Sequence, residues 1–182
     1  MKLPNKTSLV GARICSDKND VMLTTSKGKC IRFPVTDVRV FKGRDSIGVR
    51  GIRLLNDDFV VSMAIITHVN ASSEERGIYF KMRRAQIDDG QQLDSTSSEP
   101  LGVISEDRYE ELLSQEEWIL TLTASGFGKR SSALEFRVSS RGGQGISVAN
   151  LERREDTIVA SFPVEDDDQI MLVTSTGQSI RC

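Results

Sequence analysis

Residues 137–148 read RVSSRGGQGISV, with two arginines and three glycines in twelve positions. Such a loop has three chemical uses. It can cradle nucleotide phosphates, lie along the phosphates of a DNA strand, or turn the chain between two strands. A phosphate-binding P-loop needs Gly-x4-Gly-Lys-Ser/Thr leading from a strand into a helix. SRGGQGISV has no Lys-Ser/Thr, and Ile146, Ser147 and Val148 have strand character. A dinucleotide fingerprint needs the same helix and fails for the same reason.

Hydrolytic chemistry has one histidine to work with, His68, so a Ser-His-Asp arrangement would have to use it. The run EDDD, Glu165 to Asp168, has the hard oxygens a divalent cation takes. It directly precedes a strand pattern, as Asn19 and Asp20 do earlier, which fits a turn of solvated carboxylates. Cys15, Cys30 and Cys182 are odd in number and form no CxxC pair. With His68 alone to join them, a zinc site is not expected. No metal site and no catalytic residue is expected in the chain.

The elements that position the loop come from a repeat. MLTTSKGKCIR from Met22, LTLTASGFGKR from Leu120 and MLVTSTGQSIR from Met171 align without gaps. Each reads apolar, Thr, Ser and Gly, with an arginine four residues after the glycine. The glycines are Gly28, Gly126 and Gly177; the arginines are Arg32, Arg130 and Arg181. Alternating Val, Ile, Leu and Thr around a short Ser/Gly turn predicts β-hairpins. Downstream, RDSIGVRGIRL from Arg44 pairs with RGGQGISVANL from Arg141, and DDFVVSMAI from Asp57 with EDTIVASFP from Glu155. DDFVVSMAI is β-branched and apolar enough to predict a buried strand. Units of 40 to 50 residues with several short strands suggest propeller blades.

The spacing is uneven: 98 residues separate the first two copies and 51 the second pair. A hidden copy starting at Gly77 would place its turn arginine near Leu93, where nothing is basic. The excess is instead an insertion within residues 67–117. Residues 68–118 hold twelve acids against five bases, while the rest holds 19 bases against 14 acids. An overall charge of −2 thus conceals an acidic segment in a basic frame. Ser72 with Glu75 three residues on forms a capping box. Ser105 opens a stretch with Tyr109, Leu112 and Leu113 at helical spacing. The insert is therefore expected to be helical, either a solvated decoration or a partner-binding arm. No apolar run is long enough to span a bilayer, and the amino end lacks a signal peptide's apolar core, so a cytoplasmic location and no membrane partner are expected.

Loops recurring at one edge of successive blades would set their basic residues in a row. These are Lys42, Arg44, Arg50 and Arg53 in the first copy, and Lys129, Arg130, Arg137 and Arg141 in the second. Gly142, Gly143 and Gly145 would let backbone amides approach phosphate oxygens. That pattern suits backbone-directed binding of curved double-stranded DNA. The competing reading is that the glycines make turns and the arginines keep the surface soluble.

VMLTTSKGKCIRF, GVRGIRL, GFGKR, RGGQGIS and DDDQIMLVTSTGQSIR together resemble the carboxy-terminal domain of the DNA gyrase A protein, over nearly all of the chain outside the insert. The corresponding subunit of topoisomerase IV shares the repeats. The resemblance implies an all-β fold, a β-pinwheel of propeller-like antiparallel blades, here a partial ring with one α-helical insert. Residues 1–66 would be the end of one blade plus a whole blade, 67–117 the acidic insert, and 118–182 a second whole blade and the start of another. It implies a non-catalytic module that wraps double-stranded DNA with positive handedness and so supports ATP-dependent negative supercoiling. The gyrase B protein and the amino-terminal part of the gyrase A protein would be its partners in a heterotetramer. ATP and Mg would belong to the gyrase B protein and the enzyme's core, with no cofactor in this chain. DNA cleavage in the family uses a tyrosine of a separate domain; Tyr79 and Tyr109 lie in the insert and match no such motif. The family's box, Gln-Arg-Arg-Gly-Gly-Lys-Gly, belongs to its first blade. SSRGGQG keeps Arg141, Gly142, Gly143 and Gly145 but departs at Ser139, Ser140 and Gln144, as a cousin of the box in a later blade would. The alternative of another class is a propeller-like protein-interaction scaffold that binds through the acidic insert.

Overall fold

A computed structural model describes residues 7–43, 45–88, 103–148, 151 and 156–182. The three aligned stretches are hairpins. Strands β1 (Asn19–Thr25) and β2 (Lys29–Pro34) form the first, β4 (Trp118–Thr123) and β5 (Gly128–Ser132) the second, and β8 (Met171–Val173) and β9 (Ser179–Arg181) the third. Each turns on a glycine in the left-handed region, Gly28, Gly126 and Gly177, with φ of 79°, 88° and 84°. In each, the glycine amide donates to the carbonyl of a threonine three residues back, Thr25, Thr123 and Thr174. Side chains other than glycine rarely adopt that backbone conformation.

The returning strands are β3 (Val60–Thr67) and β7 (Ile158–Val164). They pair antiparallel with β1 and β4 respectively, and each ladder carries an irregularity at the matching place, Thr24/Thr25 and Leu122/Thr123. The sheets run β3-β1-β2-β6, β5-β4-β7 and β8-β9, where β6 is Ile146–Ser147. These are the antiparallel blades expected from the repeat. β3 is less buried than its composition predicts: only Ala64 and Ile66 are buried. It is the outer strand of its sheet, and Val60 to Met63 at its start are half-buried, with Val60 and Met63 against the core of the first blade.

Alternation along β1 sends Val21 and Leu23 to one face and Met22 and Thr24 to the other. Val21 packs with Ile31, Phe33 and Ile52 inside the first blade. Met22 joins Cys30, Ala64 and Ile66 against Ile119, Ala133 and Phe136 of the second. The two sheets thus share one core, face to face. Burial there pushes the Cys30 thiol up to about 12, which makes it inert packing rather than a reactive group.

Between β3 and β4 come helices α1 (Ser73–Asp88) and α2 (Glu106–Ser114). The capping box at Ser72 is made: Ser72 Oγ accepts from the Glu75 amide at 3.0 Å, and Glu75 Oε2 accepts from the Ser72 amide at 2.8 Å. Ser105 Oγ caps α2 by accepting from the Arg108 amide. Tyr79, Tyr109 and Leu112 form a small separate core with Val69, Ile78 and Ile104, and Leu134 of the second repeat plugs into it. The helices are therefore docked on the blade. No helix among the described residues is long and apolar enough to cross a membrane.

Candidate nucleic-acid interface

The glycine-rich loop lies against the first repeat. Its tail, β6, adds to the free edge of β2, with Lys29 opposite Ser147 and Cys30 opposite Ile146. The first blade is thus completed by a strand from the second repeat. Upstream of β6, the Gly142 amide donates to the Gly51 carbonyl at 2.5 Å, and the Arg53 amide donates to the Gly143 carbonyl at 2.7 Å. Arg141 donates from Nε to the Asp37 carbonyl at 2.9 Å and from Nη1 to the Arg50 carbonyl at 3.2 Å. The loop over residues 37–53 and the loop over 139–145 are consequently neighbours on one edge.

The glycines serve this packing. Gly142 and Gly145 have φ of 81° and 72°. A Cβ on Gly145 would collide with the Cys30 carbonyl of β2, whereas one on Gly143 would meet only ordinary contacts. Close approach of two backbones explains Gly145, and a left-handed turn explains Gly142, without any ligand.

The expected basic residues fall into three groups. Arg50, Arg53 and Arg141 are exposed and brought together where the two loops meet; Lys42 is exposed on the same first-repeat loop. Arg44 lies outside the described residues. Arg137 is exposed and lines the cleft beneath the glycine loop with Ser139, Ser140 and Gln144; its side chain has no hydrogen bond or ion pair among the described residues. Lys129 and Arg130 sit apart on β5 and are engaged by neighbours. Lys129 Nζ lies 3.6 Å from Glu135 Oε2, and Arg130 Nη1 lies 2.7 Å from Asp166 Oδ1.

The repeat arginines form a set of their own. Arg32, Arg130 and Arg181 each reach back twelve residues to one equivalent position, occupied in turn by Asp20, Trp118 and Gln169. Arg32 Nε donates to Asp20 Oδ2 at 2.7 Å; Arg130 stacks its guanidinium 4.3 Å from the centroid of the Trp118 ring; Arg181 donates to Gln169 Oε1. One geometric slot is filled by an ion pair, a cation–π contact and a guanidinium-to-amide hydrogen bond. Arg32 is buried and also donates to the Ala133 carbonyl at 2.8 Å and the Thr67 carbonyl at 3.0 Å. The second oxygen of the fully buried Asp20, Oδ1, lies 2.7 Å from His68 Nδ1. His68 is thereby a structural neighbour of an ion pair rather than a nucleophile's base. The EDDD run is a turn in which Asp168 Oδ2 accepts from the Glu165 amide at 2.8 Å. Asn19 closes the same turn ahead of β1 by accepting from the Ser16 amide. Among the described residues no group of three or more His, Cys, Asp or Glu side chains is placed to hold a metal ion.

Sequence reasoning missed two features. One is the acid that follows each of the first two hairpins: Asp58 Oδ1 accepts from Ser26 Oγ, the Lys27 amide and the Phe59 amide, and Asp156 Oδ1 accepts from the Ser125 and Thr157 amides. The 98-residue offset that aligns the glycines also aligns these two acids, so the signal was present. The other is Arg76, on α1, which binds the Leu134 carbonyl at 3.1 Å and lines one cleft with Arg137.

Residues 19–67 and 117–165 match the model of the DNA gyrase C-terminal domain, a beta-propeller. Among relatives, the DNA gyrase A protein of Rickettsia bellii is 39% identical across the whole of this chain, and that of Granulibacter bethesdensis is 41% identical across it. The chain spans about one fifth of either relative, 20% and 21%. Among solved structures, a DNA gyrase A C-terminal domain matches with a TM-score of 0.56 and 22% identity, over 91% of this chain and 38% of that one. The C-terminal domain of a DNA topoisomerase IV matches with a TM-score of 0.67 and 19% identity, over all of this chain and 42% of that one. The paired hairpin sheets and the family match agree, and the chain belongs to the DNA gyrase C-terminal domain family of β-propellers.

Proposed function

We propose that this chain is a DNA-binding and DNA-wrapping module of a type IIA topoisomerase, the gyrase, in which it supports ATP-dependent negative supercoiling. The observation that carries this reading, alongside the family, is the adjacency of the loops over 37–53 and 139–145. It brings Arg50, Arg53 and Arg141 to one edge of two successive blades. Positive points repeated along a curved edge neutralise phosphates in register with a bent duplex and read no bases. Lys42, Arg44 and Arg137 would extend the same band, with Lys129 and Arg130 released from their acidic neighbours to join it. The whole protein would work with the gyrase B protein and the rest of the gyrase A protein in a heterotetramer in the cytoplasm. ATP and Mg would be used there and not by this chain, which would contribute DNA geometry rather than a chemical step.

Gel shifts on two duplexes, one of about 20 base pairs and one several times longer, test the proposal. Wrapping requires the longer duplex to bind more tightly per molecule, with a steep loss of affinity as salt rises. Equal affinity for both lengths would remove the wrapping claim, and no binding at low salt would remove the DNA claim.

A further inference from the structure

The acidic insert has a basic corner. The first turn of α1, the segment between β3 and α1, Arg32 of β2 and the segment after β5 enclose a cleft of about 360 Å³. Ser72, Ser73, Arg76, Arg32 and Arg137 line it, and among the described residues no carboxylate does. Arg32 is neutralised by Asp20. Arg76 and Arg137 have no acidic partner among the described residues; Arg76 spends its donors on the Ser72 and Leu134 carbonyls and on Ser73 Oγ. Glu75, the residue before Arg76 in sequence, is held by Arg108 Nε at 3.2 Å and by the capping box. Burial first, and then the charges of Arg32 and Arg137, lower the proton affinity of Arg76. Like charges gathered without a counter-charge cost free energy that an anion would recover.

Arg137 also lines the cleft under the glycine loop. A path therefore runs from Arg50, Arg53 and Arg141 over that loop to Arg137 and on to Arg76, across the junction of blade and insert. We infer that the corner formed by Arg76 and Arg137 is a phosphate site, and that through it the helical insert takes hold of the same duplex DNA that crosses the blade loops. This rests on the DNA-binding reading above and extends it to a segment whose net charge argues the opposite way. After Glu74 and Glu75 in its first turn, α1 carries no acid until Asp88 at its end, and Lys81 and Arg84 are exposed between them.

The test compares salt dependence of long-duplex binding by the full chain with that of Arg137→Gln and Arg76→Gln. Each variant should lower the slope of log K against log salt by about 0.9, one phosphate equivalent, with little change in the melting temperature of Arg137→Gln. Because Arg76 also anchors the insert, a second variant guards against its undocking. Gly77→Cys lies one residue further on, exposed, with open space around an added Cβ. Carrying a photo-crosslinker, in a chain with Cys15 and Cys182 replaced by serine, it should join to DNA. A crosslinker at Leu113→Cys, exposed on α2, should not. Unchanged slopes in both variants together with no crosslink from position 77 would overturn the inference while wild-type binding left the wider reading intact. Wild type that bound no duplex would instead fail that reading itself.

Discussion

At the scale of single residues, the acids behind the hairpins decide how the tips behave in acid. Partial burial of Asp58 pushes its proton affinity up. The Lys27 amide, Thr25, Ser26 and the Phe59 amide outweigh that, and its pKa ends below the usual carboxylate value. Asp156 is lowered too, chiefly by Thr123 and then by the Thr157 and Ser125 amides. A carboxyl lowered on folding stabilises the fold above its unfolded pKa, about 4. That contribution disappears as pH falls through the folded value. Thermal melts between pH 7 and pH 2.5 should therefore show wild type losing stability below about pH 4. Asp58→Asn should lose distinctly less over the same interval. At pH 7, Asp58→Ala should cost about 1 to 2 kcal/mol, the worth of an ionised acceptor in a half-exposed turn. Identical acid profiles for wild type and Asp58→Asn would show that the turn does not depend on the charge. The glycine that starts each turn was legible in the sequence, because left-handed backbone selects a residue type. The acid that finishes it was hidden, because aspartate also abounds in solvated turns.

At the scale of elements, the least obvious strand is the one that matters most to the edge. β6 has two residues and pairs with a hairpin more than a hundred positions earlier. Local alternation cannot reveal such a partner, since two residues carry no period. The hairpins, their turns and both insert helices were legible because their signals are local: alternation, left-handed glycines and a Ser/Glu capping box. For the same reason the arginine row was only half legible. Types and spacing marked Arg50, Arg53 and Arg141, but only the strand crossing between blades brings them together. Gly145 is the residue that allows that crossing. Gly145→Ala adds a Cβ against the Cys30 carbonyl at positive φ and should detach β6. The amide of Val148, which donates to the Gly28 carbonyl at 2.9 Å, should then lose protection from hydrogen exchange. Gly126→Ala is the control: it too sits at positive φ but in open space. It should cost about 1 kcal/mol of backbone strain and leave the Val148 amide protected. Equal loss of protection in both variants would mean that close approach at Gly145 is not what seats the strand.

At the scale of the whole molecule, the two blades are joined by devices of different kinds. They share an apolar core, β6 crosses from the second repeat to the first, and the Ile158 amide of β7 donates to the Ser26 carbonyl at 2.9 Å. Arg32 adds a buried guanidinium that ties Asp20 and Thr67 to the Ala133 carbonyl of the second blade. A joint of this kind fixes the angle between blades, and in the wrapping role proposed above that angle would set the curvature offered to DNA. Arg32→Met leaves Asp20 buried with only His68 beside it, a situation that costs about 3–5 kcal/mol and should lower Tm by roughly 10 °C for a chain of this size. Pairing it with Asp20→Asn should restore part of the loss, because the uncompensated charge is then gone. If the angle governs wrapping, the rescued double variant should still bind a short duplex as wild type does, while its preference for a long one shrinks. A double variant that melted near wild type and kept the full long-duplex preference would place control of DNA curvature elsewhere, in the shared core and the exchanged strand.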